Sequence, residues 1–294
     1  MDEHEYLDMK FKDIDDFQET VNNCDFEVIQ LALNNEWFNK IRKSGQKSWT
    51  NNNEQYCGEY FTFRWLYEEN QFEYIKNSLK NLYSVNPKKN VIRNKIKDIT
   101  TPKWKRNECA AFKIAVICKL FNDNVLVDIE PKYGSNSKKK ADALINIDSR
   151  EILVEVTAFQ NEIEYISGTG AVDIKKNIYR IIHKVIDKYN DQIINSEKPC
   201  TIFIMKPSGV MMDQIQINWA INTLFDEEKY QLKNVSAIVF FNGYTLISGA
   251  CYNNPNSFYP FTEKEREYIR SLFRIDNKLE ELVDNGQLSN KFFL

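Results

Sequence analysis

Hydrophobic and polar positions follow helical spacing in the first part of this chain, and the pattern changes from residue 104. Before it, the stretches 13–23 (DIDDFQETVNN) and 35–45 (NEWFNKIRKSG) carry aliphatic and aromatic residues at helical spacing. Residues 59–85 form a longer, aromatic-rich helical pattern that Pro87 ends. Aromatics three and four residues apart there read as core packing. From 104 to 121 (WKRNECAAFKIAVICKLF) no breaker occurs and apolar residues fall on most sides, as in a largely buried helix. Three short strand patterns follow: NVLVDIE (124–130), KADALINI (140–147) and EILVEVTA (151–158). A long amphipathic helix is expected over 172–193, then an almost wholly apolar strand, CTIFIMK (200–206), of the kind found in the middle of a sheet. The remainder reads as a helix over 211–225, strands at 235–241 and 244–250, and a helical tail over 261–285. The element order α-β-β-β-α-β predicts an α/β domain with a mixed sheet over residues 101–294. A mostly helical region, 1–100, precedes it.

Composition narrows the chemistry. The chain has 294 residues and a formal net charge of −3, with no apolar run long enough to span a bilayer and no N-terminal apolar signal region. A cytoplasmic protein that does not enter the membrane is expected. Its six cysteines (Cys24, Cys57, Cys109, Cys118, Cys200, Cys251) include no C-x-x-C pair, which argues against structural zinc. Only two histidines occur, His4 and His183, so nucleophile–histidine triads and histidine-rich metal sites have little to draw on. No phosphate-binding G-x-x-x-x-G-K-[ST] loop is present. Any catalysis must rest on carboxylates, lysines and a hard cation. The charge is also unevenly spread. Residues 1–80 hold 9 Lys/Arg against 16 Asp/Glu, whereas residues 86–140 hold 14 against 5. A basic face for a polyanion and a solvated lysine-rich surface both fit that distribution.

Two carboxylates in strand patterns need explanation, because strand interiors disfavour charge. If Asp148–Ser149 is a two-residue hairpin turn, Ile147 faces Arg150, Asp142 falls opposite Glu155, and Lys140 falls opposite Thr157. Directly opposed side chains lie about 5 Å apart. Like charges at that distance repel unless a cation lies between them. An oxygen-liganded divalent ion or a nearby lysine resolves the conflict; a pair of edge-strand carboxylates in water is the plainer alternative.

An acidic residue near the start of the first helix (Glu108), followed by Asp142 and Glu155 across two strands in α-β-β-β-α-β order, resembles the PD-(D/E)XK, or restriction-endonuclease-like, nuclease superfamily. The likeness covers roughly residues 104–206. It implies a Mg²⁺-dependent phosphodiesterase, with Mn²⁺ as a substitute ion, cleaving nucleic acid (DNA ahead of RNA) in a restriction or anti-phage role. Asp142 and Glu155 would hold the metal with the Val156 carbonyl, and Glu108 would be a further ligand. The chain departs from the motif at Thr157, where the family's lysine belongs. Lys140 is the expected replacement on the hairpin register, with Lys175, Lys176 and Lys184 as rivals. Lys138, Lys139, Lys176, Arg180 and Lys184 are the candidate nucleic-acid contacts, and a homodimer or partner protein is compatible with the reading. The competing expectation is a catalytically inactive nuclease fold that serves as a nucleic-acid-binding or assembly module.

Overall fold

A computed structural model describes residues 14–24, 27–43, 73–99, 104–133, 140–159, 174–206, 214–227, 230–242, 248–272 and 274–275. The chain divides into two compact units, residues 1–114 and 115–294. The division falls inside a helix, later in the chain than the boundary expected near residue 100.

In the first unit the described residues are helical: α1 (Ile14–Asn23), α2 (Glu27–Ala32), α3 (Asn35–Lys43), α4 (Glu73–Val85), α5 (Lys89–Ile99) and the start of α6 (Trp104–Asn122). Buried Val21, Ile29, Leu33 and Phe38 supply the apolar sides of the first three helices. Helix α4 ends two residues before Pro87, as its missing N–H and ring sterics dictate. Helix α5 lies in the basic stretch between Pro87 and Pro102. Its Ile92, Ile96 and Ile99 fall on one buried stripe, a spacing that the lysines around it obscured.

The second unit is a mixed α/β structure. Its described strands form one seven-stranded sheet in sequential order: β1 (Leu126–Ile129), β2 (Ala143–Ile147), β3 (Arg150–Ala158), β4 (Cys200–Lys206), β5 (Val235–Asn242), β6 (Ser248–Asn253) and β7 (Arg274–Ile275). The first three strands are antiparallel, β3, β4 and β5 are parallel, β6 runs antiparallel to β5, and β7 pairs with β6. Parallel pairing requires crossovers, which helices α7 (Ile174–Lys188) and α8 (Gln214–Asp226) supply. Burial of the central strands follows from this: every residue of β4 except Lys206 is buried. One core cluster joins Leu153, Cys200, Ile202, Ile204 and Ile238 of the sheet to Ile181, Val185, Ile217 and Ile221 of the two crossover helices. The C-terminal helical expectation needs correction. Helix α9 (Glu263–Ser271) opens on a capping box between Thr262 and Glu265, but the chain re-enters the sheet as β7 at Arg274.

The β2–β3 hairpin has the expected turn. Asp148 and Ser149 both take positive φ, 51° and 69°, as a two-residue turn matching strand twist requires. The Asn146 side chain accepts the Ser149 N–H at 3.1 Å and steadies the turn. Pairing runs from Ile147↔Arg150 to Ala143↔Val154 in the expected register. At Asp142 that register breaks. The Asp142 N–H donates to the carbonyl of Val154, so two successive residues of one strand address one residue of the other, as in a β-bulge.

Candidate active site

The bulge decides which side chains meet. Residues before it are displaced by one position relative to β3, which turns them to the opposite face. Ala141 therefore joins the buried cluster with Leu153 and Cys200. Lys140, expected beside Thr157, is instead bridged to Lys132 on the β1 side. Its ammonium lies 3.2 Å from Glu130 Oε2, and its side chain is 45% exposed. The expectation that Lys140 serves the two carboxylates assumed an unbroken register and gives way here.

Asp142 nevertheless stays at the site by another route. Its Oδ2 accepts the backbone N–H of Val156 at 2.9 Å, replacing the ladder bond that the bulge forfeits. The residue is 8% exposed. A strand residue's N–H and C=O point to the same edge. The Val156 carbonyl thus also opens toward Asp142. Val156 itself is fully buried, with its side chain on the face opposite Glu155.

Glu155 is 1% exposed, on the sheet face covered by α7. A bare carboxylate there would carry a large desolvation penalty. Lys188, in the last turn of α7, meets it: Nζ lies 3.2 Å from Glu155 Oε2, with the lysine side chain 19% exposed. The same ammonium donates to Gln192 Oε1 at 2.6 Å. Gln192 belongs to a π-helical turn, Tyr189–Ile193, that continues α7 directly after Lys188. Lys188 was missed by the sequence reading, yet a signal existed. Lys176, Arg180, Lys184 and Lys188 follow at intervals of four, and each such step rotates about 40° around the helix. Over three steps the row winds from the exposed Lys176, through half-buried Arg180 and Lys184, to an ammonium facing the sheet.

Around this pair sit two further groups. Tyr133 packs beside the cluster that contains Ala141, Leu153 and Cys200. Its phenol is pushed well above its ordinary range by burial, then by the charge of Glu155, then by Cys200 and Asp142. The Cys200 thiol is raised by burial and by Glu155, with Lys188 pulling the other way. The electrostatic neighbourhoods of Tyr133 and Cys200 thus converge on one small region at the β2–β3 divergence. Thr157 is buried on the Glu155 face and contributes no charge.

The remaining expected residues divide as follows. Lys176, Arg180 and Lys184 lie on α7, whereas Lys138 and Lys139 lie outside the described residues. Glu108 is in helix α6, but its side chain is likewise outside them. Among the described residues no group of three or more His, Cys, Asp or Glu side chains is placed to hold a metal ion. No described helix is long and apolar enough to cross a membrane. No protein-family model, curated protein or solved structure matches the chain.

Proposed function

We propose that the chain is a divalent-metal-dependent phosphodiesterase that cleaves nucleic acid, DNA ahead of RNA, on a restriction-endonuclease-like core. The observation that carries this reading is the buried Asp142–Glu155 region with the Lys188 ammonium 3.2 Å from Glu155. The order α6-β1-β2-β3-α7-β4, with three antiparallel strands and then a parallel crossover, supports the same reading. So does the donor chemistry. Two carboxylates and a backbone carbonyl are hard oxygen donors, and Mg²⁺ characteristically takes one or two carboxylates and completes its shell with water and substrate phosphate. The residues fit such an ion: Asp142, Glu155 and the Val156 carbonyl would hold it. When bound, it supplies Lewis-acid polarisation of the scissile phosphate.

The chain's own groups have separate tasks. Lys188, paired with Glu155, would take the role of the motif lysine missing at Thr157, its Nζ donating to the phosphate oxygens on which negative charge develops. Gln192 holds that ammonium from the other side. In the reaction, a water oxygen bonds to phosphorus while the bond to the leaving oxygen breaks, and the water's proton reaches the leaving oxygen through solvent. The basic row Lys176, Arg180, Lys184 offers phosphate contacts that lead along α7 to Lys188. Mn²⁺ titration by calorimetry tests the reading. Wild type is expected to bind the ion, and Asp142→Asn with Glu155→Gln to abolish binding while remaining folded. Thr157 favours a second reading, a non-catalytic binding module. Nucleic-acid binding that persists with no Mn²⁺ uptake supports that alternative.

A further inference from the structure

Tyr133 follows the Lys132↔Lys140 bridge that extends the β1–β2 pairing. Its ring packs against the core cluster, yet its hydroxyl oxygen is buried with no hydrogen-bond partner among the described residues. Phenylalanine would fill the same space without the penalty of an unmet buried hydroxyl. A buried polar group of this kind needs a reason. A phenol is protonated at neutral pH and serves as a donor, and Tyr133 packs against the cluster that contains Ala141 and Leu153, close in the chain to Asp142 and Glu155. A donor near two carboxylates that do not hydrogen-bond to it suits an acceptor brought in from outside.

We propose that Tyr133 is a further catalytic residue of this site, its O–H donating a hydrogen bond to a non-bridging oxygen of the scissile phosphate. The inference rests on the phosphodiesterase reading. Lys188 and Tyr133 then address the phosphate as donors of different kinds, one charged and one neutral. Neither is a ligand to the ion.

The test is Tyr133→Phe beside wild type and Asp142→Asn, measured for Mg²⁺-dependent cleavage, Mn²⁺ affinity without nucleic acid, and thermal midpoint. The expected result is a fall in kcat on the order of 100-fold with KM little changed. Mn²⁺ affinity stays at the wild-type value, and the midpoint is unchanged or higher because the ring packing remains. A Phe variant with wild-type kcat, beside an inactive Asp142→Asn, overturns the role of Tyr133 and leaves the phosphodiesterase reading standing. A midpoint that falls together with the rate also overturns it and assigns the tyrosine to packing. Wild-type protein that neither cleaves nor binds Mn²⁺ overturns the underlying reading, and this inference with it.

Discussion

Asp142 carries two loads at once, and they respond differently to substitution. As a charge it is a candidate ligand; as an acceptor it satisfies the buried Val156 N–H. Asp142→Ala is therefore expected to cost about 1–3 kcal/mol of stability, because the amide is left unmet in the interior. Asp142→Asn keeps an acceptor and is expected to remain close to wild type in denaturant melts while losing Mn²⁺ binding and cleavage. Equal stability of the Ala and wild-type proteins would contradict the hydrogen bond's role. Lys188 gives the opposite signature. Lys188→Met leaves Glu155 buried without its ammonium, a change that typically costs about 3–5 kcal/mol. Added Mn²⁺ should then raise the thermal midpoint of the variant more than that of wild type, since the ion replaces the lost positive charge. A midpoint indifferent to Mn²⁺ would count against a cation site there. Asp142 and Glu155 were legible in the sequence because charge inside apolar alternation is costly and thus conspicuous. Lys188 was not, because a lysine at a helix end looks like any solvated one until its rotation around the helix is followed.

At the level of elements, the hairpin was readable down to Ala143, because Asp148–Ser149 permits a two-residue turn and the turn fixes the register. The bulge at Asp142 was not readable, since no glycine or proline marks it. That one-residue slip is what takes Lys140 to the β1 side, toward Glu130. Ser149 sits at φ 69°, where a side chain is disfavoured. Ser149→Gly is expected to be neutral or to stabilise by up to about 1 kcal/mol, the relief at positive φ being partly offset by glycine's extra unfolded-state entropy. Thermal melts check this, and cleavage should be unaltered. A clear loss of stability would mean that the turn conformation is not the one described. On α7, Lys176→Glu combined with Arg180→Glu is expected to weaken nucleic-acid binding and to flatten its salt dependence by about one unit of log–log slope per lost phosphate contact. An unchanged slope would return that row to plain solvated surface.

For the whole molecule, the acidic N-terminal region and the basic segment that follows were visible as charge, and the switch to strand periodicity after the helix over 104–121 located the sheet-bearing part. The apolar β4 and β5 take cover on one face from both crossover helices, which share a single core cluster with them. What composition could not reveal is which groups close on one another across that sheet. The Lys188–Glu155 pair depends on a crossover and the pitch of a helix, and the placing of Asp142 on a bulge. The proposed activity of this cluster is cleavage of phosphodiester bonds with a divalent ion. Its most direct test is a cleavage time course on single- and double-stranded DNA and RNA, with wild type, Glu155→Gln and Lys188→Met, in Mg²⁺ and in EDTA. The account predicts cleavage of at least one of these substrates by wild type in Mg²⁺ only, none by Glu155→Gln, and a rate for Lys188→Met lower on the order of 100-fold. Cleavage that persists in EDTA, or that Glu155→Gln performs at the wild-type rate, would contradict it, as would a wild-type protein inert toward every substrate.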